Sequence, residues 1–288
     1  MNLAERVTSL LEKDDDVEGL VLIGSRVRAQ GDAIWRADEN SDWDFQILTS
    51  NPGKFTNANW TKELGTELHT YAVRSTAIGR VPKIAAIFAE GEADFVIINT
   101  RTLRLGRWLL AGGFHRRLPR LNRSLQDLAL IIRPGWKYLK DSSNWNSFYE
   151  KLVAEISDRR LSNPECVALA DAFVCDYLWT LRKIERGEFL ASQRMLHHAL
   201  LETNLRLLHE SKLRTKQATF PEARRAEFVM TAEELSALTI STLPDPASLH
   251  AAAEKCANSC RMLMHSLVAS QWTWPTLPTG HGAPPVSH

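Results

Sequence analysis

Long apolar runs are missing from this 288-residue chain. Stretches such as 128–132 fall far short of the roughly 20 apolar residues that a bilayer-crossing helix needs, so a membrane span is excluded. Cysteine is scarce: Cys166, Cys175, Cys256 and Cys260 show no spacing that fits zinc or a disulfide framework. Cys256 and Cys260 lie four apart, on one face of an expected helix, and read as small apolar core residues. No excess of either charge is present, with 35 Lys+Arg against 34 Asp+Glu, and there is no internal repeat. The first residues hold Glu5 and Arg6 where a secretion signal would need an apolar stretch, so a cytoplasmic location is expected. What is abundant is ordinary globular content: 44% apolar residues exclude global disorder.

The balance of charge is uneven along the chain. Residues 1–100 hold 10 basic and 16 acidic side chains, a net −6, which leaves +7 for the remainder. An acidic first part suits a site for cations, and a basic remainder suits phosphate or other anionic partners.

Pattern changes near residue 100 as well. Leu3, Val7, Leu10 and Leu11 make the apolar stripe of a helix over 2–13. The continuous run 20–23, stopped by Gly24, reads as a strand buried on both faces. Further strands are expected at 42–48, 69–74, 83–89 and 93–98, the last two joined as a hairpin through Glu90 and Gly91. Beyond residue 100 the apolar period approaches 3.6, predicting helices over 166–186, 192–209 and 246–272. The fold class expected is therefore α+β, a mixed β-sheet flanked by helices followed by an all-helical bundle. The domains expected are 1–140 and 141–274, with a disordered tail over 275–288.

Chemistry gathers at the strand ends. Gly24 and Ser25 follow the first strand directly, where free backbone N–H groups can hold phosphate oxygens. Asp42 and Asp44 are two apart in a strand, so both carboxylates project from one face. Hard cations require that arrangement, and two Mg²⁺ ions can activate a nucleophile and stabilise the leaving oxygen of an in-line displacement. Asp94 opens a later apolar strand, where an unpartnered carboxylate would be costly. It is the expected third carboxylate and general base, with Glu92, two residues earlier, as the competing candidate.

Gly-Ser followed by Asp-x-Asp and a later strand Asp resembles the DNA polymerase β-type nucleotidyltransferases. The local forms Leu22-Ile-Gly-Ser-Arg26, Ser41-Asp-Trp-Asp-Phe45 and Ala93-Asp-Phe-Val-Ile97 are similar to the aminoglycoside 6-adenylyltransferase (streptomycin adenylyltransferase-like) branch. The resemblance covers about residues 15–100, and extends faintly to Lys183-Ile-Glu-Arg-Gly-Glu188. It implies that Ser25 and its surroundings, Gly24 and Arg26, hold a triphosphate, with Lys183 reaching toward it. It further implies Mg²⁺ on Asp42 and Asp44, ATP as co-substrate, and Asp94 as the third carboxylate. The stretch between Ser25 and Asp42 is longer than the family's, with 33–37 apparently inserted as a loop over the nucleotide or acceptor.

Asp176 lies about seven residues from Lys183 on the same helix, where it is placed to face an acceptor amine or simply to pair with the lysine. The segment 101–123 contains seven arginines, among them Arg116 and Arg117, and no acid. It reads as a helix with one apolar side and one basic side, either a solvated face or a surface for triphosphate or RNA. His197 and His198 are expected to be one packed and one exposed, and Trp43 to point into the core.

The reaction implied is transfer of AMP from ATP to a hydroxyl of an aminoglycoside-like small molecule. Two alternatives are a toxin-type nucleotidyltransferase acting on tRNA or protein, and a catalytically silent module that binds nucleotide or a partner.

Overall fold

The computed structural model describes residues 2–28, 37–76, 80–218, 223 and 225–277. Residues 33–36 of the expected loop and 278–288 of the expected tail lie outside them. The chain divides into two compact units, Met1–Arg159 and Arg160–His288.

Helix α1 (Leu3–Leu11) opens the first unit. The Asn2 side chain accepts the N–H of Glu5 at 2.9 Å while Glu5 accepts that of Asn2 at 2.8 Å, a reciprocal cap on two of the helix's orphan donors. Its stripe Leu3, Val7 and Leu11 is fully buried. Strands β1 (Val17–Ile23), β2 (Trp43–Thr49), β3 (Leu68–Ser75), β4 (Pro82–Phe88) and β5 (Gly91–Asn99) follow. Then come α2 (Thr100–Ala111), α3 (Pro119–Ile132), β6 (Lys137–Asp141) and α4 (Trp145–Glu155). The sheet order is β3-β4-β5-β2-β1-β6. Among the described residues, β2 and β5 run parallel and the other four strand pairs antiparallel.

Both faces of this sheet are covered. Phe45, Ile47, Phe95 and Ile97 point to the face closed by α1 and the short turns near Phe55 and Trp60, where Phe45 and Phe95 stack at 5.5 Å. Val21, Ile23 and Leu48 point to the other face, against Leu103, Leu125, Ile132, Trp145 and Tyr149. Each fully buried large side chain contributes about 1.5–3 kcal/mol. The first unit therefore extends past the boundary expected near residue 140, because β6 completes the sheet and α4 completes its second core. β6 is also a strand absent from the sequence reading: Lys137-Tyr-Leu-Lys-Asp141 is an edge strand, half-buried at its three middle residues and exposed at both ends, and carries no apolar run.

The arginine-rich stretch is two helices rather than one. Gly112 and Gly113 end α2, Gly113 having φ +70, and Pro119 starts α3.

The second unit is helical: α5 (Asn163–Glu185), α6 (Phe189–Met195), α7 (Glu202–Arg214), α8 (Ala232–Leu238) and α9 (Pro246–Val268). A π-helical turn, Leu196–Leu201, joins α6 to α7. It buries Leu196 and Leu200 and leaves both His197 and His198 exposed, so neither is packed as expected. Phe173, Tyr177, Leu181, Leu249 and Met264 form the core with Cys256 and Cys260. Burial pushes both thiols up to about 12, so these cysteines are inert packing groups. Trp274 packs edge-on against Phe173 and Tyr177, and Trp272 donates to Asp171 at 2.9 Å, closing the end of the bundle. Among the described residues no helix is long and apolar enough to cross a membrane.

Candidate active site

β1 ends at Ile23 and the chain turns at once into the single 3-10 turn Gly24–Val27. Gly24 has φ +79, and a Cβ there would stand 2.2 Å from Oδ2 of Asp44. Backbone conformation and space both demand glycine at this point. A second glycine supports the turn from behind: Gly135 has φ +145, and a Cβ on it would sit 2.7 Å from the carbonyl oxygen of Val27. Ser25 is half-buried at the head of β1.

The parallel register brings the acids together. Asp44 in β2 lies directly opposite Asp94 in β5, and on its other side Asp44 faces Ile23, the last residue of β1. Asp42, two residues before Asp44, joins them. One oxygen from each of Asp42, Asp44 and Asp94 lies within 4.8 Å of the others, and all three side chains are half-buried. Three hard oxygen donors at this spacing, still open to solvent, fit a hard divalent cation such as Mg²⁺. Trp43, between the two acids, points to the opposite face and packs on the core there.

The floor beneath the acids is polar but satisfied. Gln46, the next residue of β2 on the carboxylate face, is buried and accepts a hydrogen bond from the Tyr149 hydroxyl at 2.8 Å. Burial holds the Tyr149 hydroxyl well above the usual range for tyrosine, so it acts there as a neutral donor.

Arg26 and Lys83 accompany the acids in different ways. Arg26 donates from Nε to the carbonyl oxygen of Asp42 at 3.0 Å and from Nη2 to that of Ser41, and its guanidinium lies 4.2 Å over the Trp43 ring. Arg26, expected at the triphosphate, braces the start of β2 through these two contacts. Lys83 in β4 is ion-paired with Oδ2 of Asp94. It sits opposite Val96, one rung from Asp94 on the same face.

Other expected site residues are not among the clustered carboxylates. Glu92 is exposed near the hairpin turn and is not in the carboxylate group. Lys183 and Asp176 are on α5 in the second unit. The Lys183 ammonium pairs with Glu188 at 2.7 Å, not with Asp176. Burial raises the Asp176 carboxyl above the ordinary aspartate value. A wide groove lined by Arg6, Lys13, Asp14, Lys54 and Glu63 runs beside α1, which covers the sheet face opposite the acids.

Lys83, Gln46, Tyr149 and Gly135 were not singled out by the sequence reading. Only Lys83 left a signal, as a charged residue opening an apolar strand on the same side as Asp94.

No protein-family model and no curated protein matches the chain. Among solved structures, an aminoglycoside 6-adenyltransferase from Bacillus subtilis is similar at TM-score 0.40 and 12% identity, over 95% of this chain and 92% of that one. A nucleotidyltransferase-like protein from Exiguobacterium sibiricum 255-15 is similar at TM-score 0.34 and 12% identity, over 93% and 76%. Likeness of that degree assigns no residue role here, and the function rests on the chain's own residues.

Proposed function

We propose that this chain is a nucleotidyltransferase that moves AMP from ATP to a hydroxyl of an aminoglycoside-like small molecule and releases pyrophosphate. The observation that carries the reading is the convergence of Asp42, Asp44 and Asp94 beside the Gly24-Ser25 turn. Asp42 and Asp44 would hold Mg²⁺, which when bound neutralises phosphate charge and stabilises the leaving pyrophosphate oxygen. Ser25 and the backbone N–H groups of its turn orient the outer phosphates. The acceptor hydroxyl oxygen bonds to the α-phosphorus as the bond to pyrophosphate breaks, and its proton passes to an Asp94 oxygen. Positioning and charge neutralisation supply most of the rate. Lys183 and Asp176 are proposed as further contacts to nucleotide and acceptor.

The test is incubation with labelled nucleoside triphosphates, Mg²⁺ and a panel of hydroxyl compounds, with adducts detected by mass. AMP adducts are expected, and Asp42→Asn should lower their formation about 100-fold or more while the fold melts normally. An active Asp42→Asn enzyme would sink the metal assignment.

One observation favours a nucleic-acid acceptor as a second reading. Trp108 and Phe114 stack at 5.3 Å and are 62% and 39% exposed, and Arg101, Arg116 and Arg117 of the same segment are exposed too. Aromatic faces flanked by guanidinium groups suit unpaired bases and their phosphates. Steeply salt-dependent RNA binding, lost in Arg116→Ala/Arg117→Ala, would select that acceptor. Mg²⁺-dependent ATP binding with no pyrophosphate released over the whole panel would select a silent module.

A further inference from the structure

We infer that the chain carries a second anion site, away from the carboxylate centre, where His115, Arg116 and the start of α3 hold a phosphate group. His115 is the observation that points to it. It is 6% exposed, its ring makes no hydrogen bond among the described residues, and its Nδ1 is sealed from solvent without a partner. The proton of a neutral ring therefore belongs on Nε2, where it can be donated to a ligand, because on Nδ1 it would be a buried donor with nothing to meet. Polar groups buried to this degree have partners in native folds. Beside this one lies an open cavity of about 370 Å³, which His115 lines together with Arg116, Pro119, Asn122 and Glu155.

The sequence builds the site from one turn and one helix. His115 and Arg116 lie in the short turn Phe114–Arg116, and α3 begins soon after, at Pro119. Leu118, at the cap position, offers no side-chain acceptor and Pro119 has no N–H, so the N–H groups of Arg120 and Leu121 meet no acceptor among the described residues. Orphan donors at the start of a 14-residue helix attract an anion, and the Arg116 guanidinium can hold a phosphate through two parallel hydrogen bonds. Charge selects the ligand. Residues 101–123 hold seven arginines and no acid, and Glu155, the acid in the cavity wall, is met by Lys151 at 3.5 Å. At about 30 Å³ per water molecule, the cavity admits a phosphate with a substituent attached. This is not the phosphate turn of the carboxylate centre. The far end of α3 leads to Gly135, which backs Val27 of that turn. The 14 residues of α3, at about 1.5 Å each, separate its two ends by about 20 Å.

The experiment is a calorimetric titration of inorganic phosphate into the full chain. The wild type is expected to bind it, and Arg116→Ala and His115→Gln to bind it at least about tenfold more weakly. Arg116 is exposed, so its variant keeps the test valid should the buried position tolerate no change. Ser25→Ala separates this site from the phosphate turn and is expected to keep the affinity. Arg117→Ala removes the same charge from outside the cavity wall and is expected to stay within about twofold. No binding by the wild type, or affinity unchanged in Arg116→Ala or in a folded His115→Gln, would overturn the inference. So would loss of binding in Ser25→Ala, or a loss in Arg117→Ala equal to that in Arg116→Ala. A 5′-phosphorylated oligonucleotide titrated in parallel tells the sources of the phosphate apart. Affinity above that of inorganic phosphate by about tenfold or more identifies a nucleic-acid end, and equal affinity identifies a small phosphorylated molecule; each supports the site.

Discussion

Single atoms set the geometry at Gly24. Adding a methyl group there places carbon 2.2 Å from the Asp44 carboxylate and forces an L side chain into φ +79. The backbone penalty is about 1–2 kcal/mol. The obstructing atom is the free end of a side chain, so Asp44 can swing away and the sheet survives. Gly24→Ala is thus expected to melt only a few degrees lower yet to bind Mn²⁺ at least tenfold more weakly, as titration calorimetry would read. Unchanged affinity would mean that Asp44 is not a ligand. Arg26 shows the same economy of contact: its guanidinium fixes two carbonyl oxygens and one indole, and so fixes where Asp42 leaves the loop.

At the level of helices and strands, Glu210 on α7 ties the second unit together. It is buried to 3% exposure and accepts from Arg160, from the Leu161 N–H and from Arg214, while Arg214 also donates to the carbonyl oxygens of Leu161 and Leu267. Three segments meet there: the approach to α5, the end of α7 and the end of α9. Burial opposes the Glu210 charge, but the donors from Arg160, Leu161 and Arg214 outweigh it and hold the carboxyl below the usual glutamate value. Ionised Glu210 therefore stabilises the folded bundle fully above the ordinary glutamate range. That contribution disappears as the pH falls through the depressed native value. Glu210→Gln should cost about 2 kcal/mol at neutral pH and flatten the acid limb of a pH–stability curve measured by chemical denaturation. An equally steep acid limb in the variant would show that other carboxylates dominate.

Legibility from sequence also varied by element. Strands β1, β2 and β5 were readable because they are apolar runs punctuated by glycine or acids, and α5 and α9 because of their long 3.6-residue stripes. The hairpin was readable to one residue: its turn is at Ala89 and Glu90, and that small shift decides whether Lys83 faces Val96 or Ile98. Which strands are neighbours was not readable. Nothing local in β2 or β5 states that they pair, or that they pair in parallel, because that choice is made by packing between distant segments. The partners of Arg26 and Lys83 were hidden for the same reason, whereas Lys183 pairs with Glu188 only five residues on.

Taken as a whole, the molecule has separate cores for separate tasks. Two lie on the faces of the sheet and one lies inside the helical unit. All three clustered acids, Lys83, Gln46 and Tyr149 belong to residues 1–159. A fragment ending at Arg159 is expected to unfold cooperatively and to bind Mn²⁺ within about threefold of the full chain, since units with their own cores fold independently. Calorimetry and ion titration of that fragment check this, and an aggregated or ion-blind fragment would refute it.

The β2–β5 rung has one more effect, on errors of assembly. Because side chains alternate along a strand, a slip by a single residue would swing Asp44 or Asp94 into the space that Phe45 and Phe95 fill together. A bare carboxylate among those rings costs several kcal/mol, more than a misaligned chain of ordinary stability can carry. Misthreaded molecules are thereby unstable, and whatever population survives folding has its acids aligned.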